Sequence, residues 1–331
     1  MTLLIIVIAV ALVFDFTNGF HDSANAIATS VTTRALSPRV ALVMAAVLNM
    51  VGAFAGQKVA QTVGKGIVAL PDNSLTVVLA ALLGAIVWNL ITWRFGLPSS
   101  SSHALIGGLV GATVVAIGTS AVEWQGIWEK VIIPMVTSPV AGFVLAFVLM
   151  VALIRLVHRW ALAPVNRAFR FLQPISAGAV AFAHGSNDAQ KTMGIITLAL
   201  ATTYPENSYD TIPSWVIVVS ALSMGLGTYF GGWRIIHTLG SKVIKLDPIH
   251  GFAAETTAAT VIFGAAHLGF PISTTQTITA SIMGTGATSG LRGVKWGVAG
   301  NIAWAWVLTL PAAAGMAALI YLAIDAVGRA L

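Results

Sequence analysis

Asn18-Gly19-Phe20-His21-Asp22-Ser23-Ala24-Asn25 and His184-Gly185-Ser186-Asn187-Asp188-Ala189-Gln190-Lys191 are two versions of one polar motif in an otherwise apolar chain. Asp22 and Asp188 align at a spacing of 166. A second motif, Leu97-Pro98-Ser99-Ser100-Ser101-Ser102-His103, returns as Phe270-Pro271-Ile272-Ser273-Thr274-Thr275-Gln276 at a spacing of 173. Weaker pairs keep the same order: Thr62-Val63-Gly64 with Thr238-Leu239-Gly240, and Thr137-Ser138-Pro139 with Thr309-Leu310-Pro311. Repetition in one order about half a chain apart indicates duplication. Duplicated halves with polar breaks in hydrophobic segments point to a transporter whose site lies where the halves meet.

Composition gives the compartment. Apolar residues make up 57% of the chain and charged residues only 8%, against about 25% charged in soluble domains. Mean hydropathy is +0.89. Apolar runs of about 20 residues, enough to cross a hydrocarbon core of about 30 Å, recur throughout. Leu3 to Phe14 has the length of a signal-peptide core but lacks a basic leader, and Asp15 and Asp22 follow at once. It reads as the first membrane helix. The chain has no cysteine, which excludes disulfides, thiolate metal sites and cysteine nucleophiles. The net charge of +6 belongs mainly to loops. No basic run with interleaved aromatics suggests nucleic-acid binding.

The expected fold is an all-α integral membrane protein. Candidate spans are 3–34 (interrupted), 40–60, 75–95, 99–118, 132–157, 175–200 (interrupted), 213–231, 252–268, 273–289 and 297–324. That is five segments per half, or about 10–12 transmembrane helices and half-helices, with broken helices and re-entrant hairpins such as 98–118. Residues 1–156 form the first repeat, 157–173 the linker and 174–331 the second repeat.

The positive-inside rule orients these segments. Arg155, Arg159, Arg167 and Arg170 cluster about the linker and place it in the cytoplasm. Five crossings per half then put both termini outside. Of the 17 lysines and arginines, twelve fall inside and four outside, and Lys191 lies within a span. The loop 202–212, with no basic residue, falls outside. An odd number of crossings makes the halves antiparallel, so the repeat is inverted.

Asp22 and Asp188 lead the candidate site residues. A carboxylate at membrane depth costs about 2.5–3.5 kcal/mol on insertion scales and is usually paired or functional. Each lies in a stretch rich in glycine, serine and asparagine. Glycine there permits unwinding, and freed carbonyls with Asp22, Asp188 and Asn187 oxygens suit a monovalent cation. Asn25 and Lys191 occupy equivalent positions. Lys191 either attracts an anion or pairs with Asp188.

Pro98 with Ser99, Ser100, Ser101 and Ser102, and Pro271 with Ser273, Thr274 and Thr275, look like helix N-termini within the membrane, proline in the first turn and Ser/Thr at the cap. Their amides, dipoles and hydroxyls would make an anion site. The alternative is hydroxyl-mediated helix packing. Glu255, among threonines one helix before the second cluster, suits a cation or a proton relay. Asn49 is a weaker polar candidate, and Asp15 reads as structural. His21, His103 and His184 show no metal-ligand spacing. No serine–histidine–acid set and no Walker loop is present, so no enzyme is expected.

At these motifs the chain resembles the inorganic phosphate transporter (PiT) family. Residues 19–29 and 183–194 resemble its two signatures, and residues 96–104 and 269–277 resemble its two hairpin motifs. Gln276 departs from the histidine usual in the second hairpin, whereas His103 keeps it in the first. The resemblance extends from residue 14 to about 315. It implies uptake of phosphate through the cell membrane by symport with sodium or a proton, with Asp22, Asn25, Asn187 and Asp188 in the signatures that hold ion and substrate. It places Ser100, Ser101, Ser102, Ser273, Thr274 and Thr275 in the hairpin tips. Glu255 matches a membrane glutamate of the second half, and a homodimer is implied. Sulfate or a metal-phosphate complex is an alternative cargo, and a passive anion channel an alternative class.

Overall fold

The computed structural model describes residues 1–330 apart from Asn73 and Ser208. The chain runs as α1 (Thr2–Thr32), α2 (Pro38–Gly52), α3 (Lys58–Lys65), α4 (Leu75–Phe95) and α5 (Ser101–Ala116). A short α6 (Trp124–Ile127) passes through a π-helical turn into α7 (Ile133–Val157). Then come α8 (Leu162–Thr203), α9 (Ser214–Phe230), α10 (Trp233–His237), α11 (Pro248–Leu268), α12 (Thr274–Ala287) and α13 (Trp296–Ala330). Among the described residues the only β-structure is two isolated bridges, Val68–Val122 and Ile244–Val294. By length and apolarity α1, α4, Trp124–Val157 and α13 can each cross a bilayer, and α9 with the π-turn-extended α10, bent by 60°, makes a fifth candidate span.

The helices interlock across the halves. Helix α1 packs on α9 while α8 packs on α2, and α5 packs on α13 while α12 packs on α7. Small residues permit these approaches. A Cβ on Gly19 would lie 2.5 Å from the Met224 carbonyl oxygen of α9, and one on Gly185 would lie 2.0 Å from the Asn49 carbonyl oxygen of α2.

That packing corrects one expectation. Neither α1 nor α8 is interrupted at its polar motif. Inside a bilayer an unwound turn leaves backbone groups without partners, and the motif glycines serve close helix contact instead. Side chains, not freed carbonyls, carry the polarity there.

The breaks lie elsewhere. Helices α4 and α11 end alike, on Gly96 (φ 64°) and Gly269 (φ 82°), left-handed positions that favour glycine. Each is followed by a short non-helical stretch and a serine cap. Ser100 Oγ accepts the His103 amide and Ser273 Oγ the Gln276 amide, both at 3.2 Å. Pro98 and Pro271 stand two residues before these caps, outside the first helical turn where the sequence placed them.

Two apolar clusters bracket the polar layer. Leu4, Val7, Ala11 and Phe14 of α1 join one cluster, and Ala24, Ala26, Ile27 and Ala28 the other. Along α8 the order reverses, with Val180, Ala181 and Ala183 in the second cluster and Ala189, Met193 and Ile195 in the first. The motifs fall between them. At 42 residues α8 is about 63 Å long, at 1.5 Å per residue, about twice the hydrocarbon core. Its first turns take up most of the linker. Val165 and Phe169 pack on Met150, Ile249 and Ala253, while Arg167 and Arg170 are exposed.

Candidate functional site

Asp22 comes from the middle of α1 and is 2% exposed. Its Oδ1 lies 2.6 Å from His21 Nδ1 and accepts Thr275 Oγ1 at 3.2 Å. Its Oδ2 accepts Ser101 Oγ at 2.8 Å, and the same hydroxyl lies 2.5 Å from Asn18 Oδ1. Asp22 therefore meets the tip of α5 from its own half and the tip of α12 from the other. Asn25, one turn along, donates to Thr275 Oγ1 at 2.9 Å and Thr274 Oγ1 at 3.4 Å.

Asp188 is fully buried on α8. Lys191 Nζ lies 2.6 Å from its Oδ1. The same ammonium donates to Ser102 Oγ and, at 2.9 Å, to the Ile272 carbonyl. Thr274 Oγ1 donates to Asp188 Oδ2 at 3.3 Å. Of the two roles open to Lys191, pairing with Asp188 is the one seen. Asn187 Nδ2 donates to the Phe270 carbonyl at 3.0 Å, in the turn before α12.

The tips also meet each other. Gln276 Nε2 lies 3.4 Å from His103 Nδ1, so the two residues that break the repeat's symmetry are neighbours. Ser100 and Ser273 use their oxygens as caps, Ser101, Thr274 and Thr275 turn hydroxyls toward the carboxylates, and Ser102 Oγ accepts Lys191 and donates to the Ile272 carbonyl at 3.3 Å. The amides of those four belong to first turns, where no intrahelical acceptor exists.

The sequence set His184 aside for want of a metal-ligand spacing, and the fold corrects that. His184 Nε2 lies 3.3 Å from Asp188 Oδ2. Asp22, His184 and Asp188 offer ligand atoms within 4.8 Å of one another. The spacing of four between His184 and Asp188 on one helix was the available signal; the proximity of Asp22 needed the fold. A hydrogen-bond chain sets the imidazole's orientation. Thr228 Oγ1 donates to the Met224 carbonyl at 2.9 Å, so it accepts Asn49 Nδ2 at 2.8 Å. Asn49 Oδ1 then accepts His184 Nδ1 at 3.0 Å, leaving Nε2 turned to the carboxylates.

Glu255 is not brought to this group. It is fully buried and accepts the hydroxyls of Thr29, Ser30 (2.6 Å) and Ser176 (2.5 Å), tying α1, α8 and α11 together. Asp15 is likewise buried, seven residues before Asp22. Outside the membrane-spanning segments, Asp247 caps α11. Burial works against its charge, but hydrogen bonds from the His250 ring and backbone and from the Ile249 amide prevail, holding the carboxyl below the ordinary carboxylate range.

The site gathers groups of both polarities. Asn25 Oδ1 and Asn187 Oδ1 are buried and make no hydrogen bond within the described residues. With the Asp22, Asp188 and His184 atoms they form a donor set for a cation. The helix-tip amides and hydroxyls are hydrogen-bond donors facing the same layer, and the Lys191 ammonium beside them is held by Asp188.

The phosphate transporter family model matches residues 18–317. A probable low-affinity inorganic phosphate transporter of Bacillus subtilis is 48% identical over 322 residues, covering 96% of each chain. One of Rhizobium meliloti is 50% identical over 326 residues, covering 98% of this chain and 97% of the relative. A solved structure described as the sodium-dependent phosphate transporter superposes with a TM-score of 0.87 at 27% identity, over 98% of this chain and 99% of that one.

Proposed function

The chain belongs to the phosphate transporter family, and from that premise we propose that it imports inorganic phosphate by symport with a cation. It is a membrane transporter and no enzyme. The observation that carries the reading is the meeting of Asp22 and Asp188, one from each polar motif, with both helix tips in one buried site.

Charge supplies the reason for coupling. Asp22, Asp188 and Lys191 are two acids and one base, which in their ordinary ionised forms sum to one negative charge. A phosphate dianion added to them would be repelled and stripped of water, which is strongly unfavourable in a low-dielectric interior. A cation bound by Asp22 and Asp188, with Asn25, Asn187 and His184 near, offsets that charge. The Ser101, Thr274 and Thr275 hydroxyls then turn from the carboxylates to the anion, joined by Ser102 from the Ile272 carbonyl and helped by the tip amides. Because these residues are buried, release requires the tips and their bracing helices to part on one side at a time, which is alternating access. The repeats 1–156 and 174–331 would be the two inverted bodies, joined by the 157–173 linker. Glu255 would act as a separate carboxylate on the linker side.

Counterflow in proteoliposomes tests this. Labelled phosphate should enter against its gradient when a sodium or proton gradient is imposed. Comparing the two gradients identifies the ion. Entry of sulfate in preference to phosphate would overturn the cargo, and downhill flux alone, indifferent to both gradients, would make the protein a channel.

A further inference from the structure

Away from the central site, Arg94, Arg234, His237 and Lys242 converge on a pocket of about 480 Å³, also lined by Phe95, Gly96, Trp233 and Thr238. It lies where α4 ends and where α9 gives way to α10 at the 60° bend. No acidic residue lines it. Among the described residues none of Arg94, Arg234 and Lys242 forms a salt bridge. Like charges gathered without a counter-ion repel one another, and an anion relieves that repulsion.

The walls are held in place. Arg234 Nη1 donates to the Arg94 carbonyl at 2.5 Å, and its guanidinium stands 5.1 Å from the Trp93 ring centroid. Thr238 Oγ1 donates to the Gly96 carbonyl at 2.9 Å. The rim is aromatic: Phe95 is 72% exposed and Trp233 46%, and Tyr229 and Phe230 at the end of α9 are exposed as well. Exposed aromatics beside the end of a membrane span mark the level of the lipid headgroups. The motif pairs give this pocket a counterpart in the other half: His267 and Lys58, at the positions equivalent to Arg94 and Arg234, line a smaller pocket with Gln57 and Gln190.

We propose that this pocket binds the headgroup phosphate of an anionic phospholipid, with the acyl chains lying against Phe95 and Trp233. Basic pockets between membrane helices recognise such headgroups by charge, and arginine does so with paired donors. A free phosphate ion shares the headgroup's chemistry but has no use for the aromatic rim. The inference stands on the membrane reading alone and does not need phosphate to be the cargo.

Native mass spectrometry of the full-length protein, with cardiolipin or phosphatidylcholine added, provides the test. Wild type should retain cardiolipin well above phosphatidylcholine. Lys242→Gln leaves the wall hydrogen bonds intact and should weaken cardiolipin retention about fivefold, and Arg94→Gln with Lys242→Gln by about 25-fold, on the basis of the usual contribution of each cation near an anionic headgroup. Lys65→Gln, at a residue paired with Asp210 elsewhere on the surface, should change nothing. Equal retention in wild type and Lys242→Gln would overturn the proposal, as would equal retention of the two lipids. Displacement of cardiolipin by millimolar inorganic phosphate would also overturn it, assigning the pocket to the cargo.

Discussion

Asp22 and Asp188 have different partners, so their loss should be felt differently. Asp188→Asn leaves the Lys191 ammonium buried without its carboxylate, and breaking a buried pair in this way costs about 3–5 kcal/mol. The variant should lose coupled uptake and unfold at a markedly lower temperature. Adding Lys191→Met should restore thermal stability but not transport. Asp22→Asn keeps its neighbours' hydrogen bonds in large part and should lose cation dependence with little loss of stability. Coupled uptake at the wild-type rate in either single variant would make that carboxylate structural. At the anion side, Ser101→Ala and Thr274→Ala each remove a hydroxyl donor. A hydrogen bond to a charged group contributes about 1.5–3 kcal/mol, so phosphate should bind about tenfold or more weakly. Ser101→Asp should be worse, and Thr260→Ala, at an exposed residue, should bind normally. Phosphate titrations that cannot tell these variants apart would move the anion site elsewhere.

At the scale of the element, close backbone approach is what places α1 and α8. Gly19→Ala and Gly185→Ala would push a methyl group into a carbonyl of α9 or α2. Overpacking commonly costs about 1–3 kcal/mol, and a backbone obstacle cannot be relieved by a rotamer change. Both variants should melt earlier, whereas Gly264→Ala, with nothing within 4 Å of the added Cβ, should not. Helix α11 gives a pH prediction. The Asp247 carboxyl titrates lower in the folded protein than in the unfolded chain. Its contribution is therefore complete above the ordinary carboxylate range and is lost as pH falls through the lowered folded value. Asp247→Ala should be about 1 kcal/mol less stable near neutral pH, the usual loss for a cap. The difference should shrink only below about pH 4.

At the scale of the molecule, the reciprocal pairing of α1 with α9 and α8 with α2 places each half's motif in a wall made by the other. On the proposed function, a substrate held there would touch both halves, as alternating access requires. The orientation rests on the basic residues. A cysteine at Asn166, introduced into a chain that has none of its own, should react with impermeant reagents only in inverted or opened membranes. Labelling in intact cells would reverse the topology.

Apolar content, motif repetition and motif order are one-dimensional properties, so membrane class and most of the residues that meet in the buried polar layer were legible in the chain. Asp22, Asp188, the serine and threonine tips, Asn25 and Lys191 do come together. Partnership was not legible. Asp22 meets Thr275 across 253 positions, Ser101 across 79. His184 joins the carboxylates while Glu255 stays with its own hydroxyls. Such choices depend on which faces of distant helices are pressed together, and no local pattern encodes them. The continuity of α1 and α8 was decided in the same way. Local glycine content favours unwinding, but the bilayer's demand for paired backbone groups and the close seats of Gly19 and Gly185 on neighbouring helices keep the motifs helical.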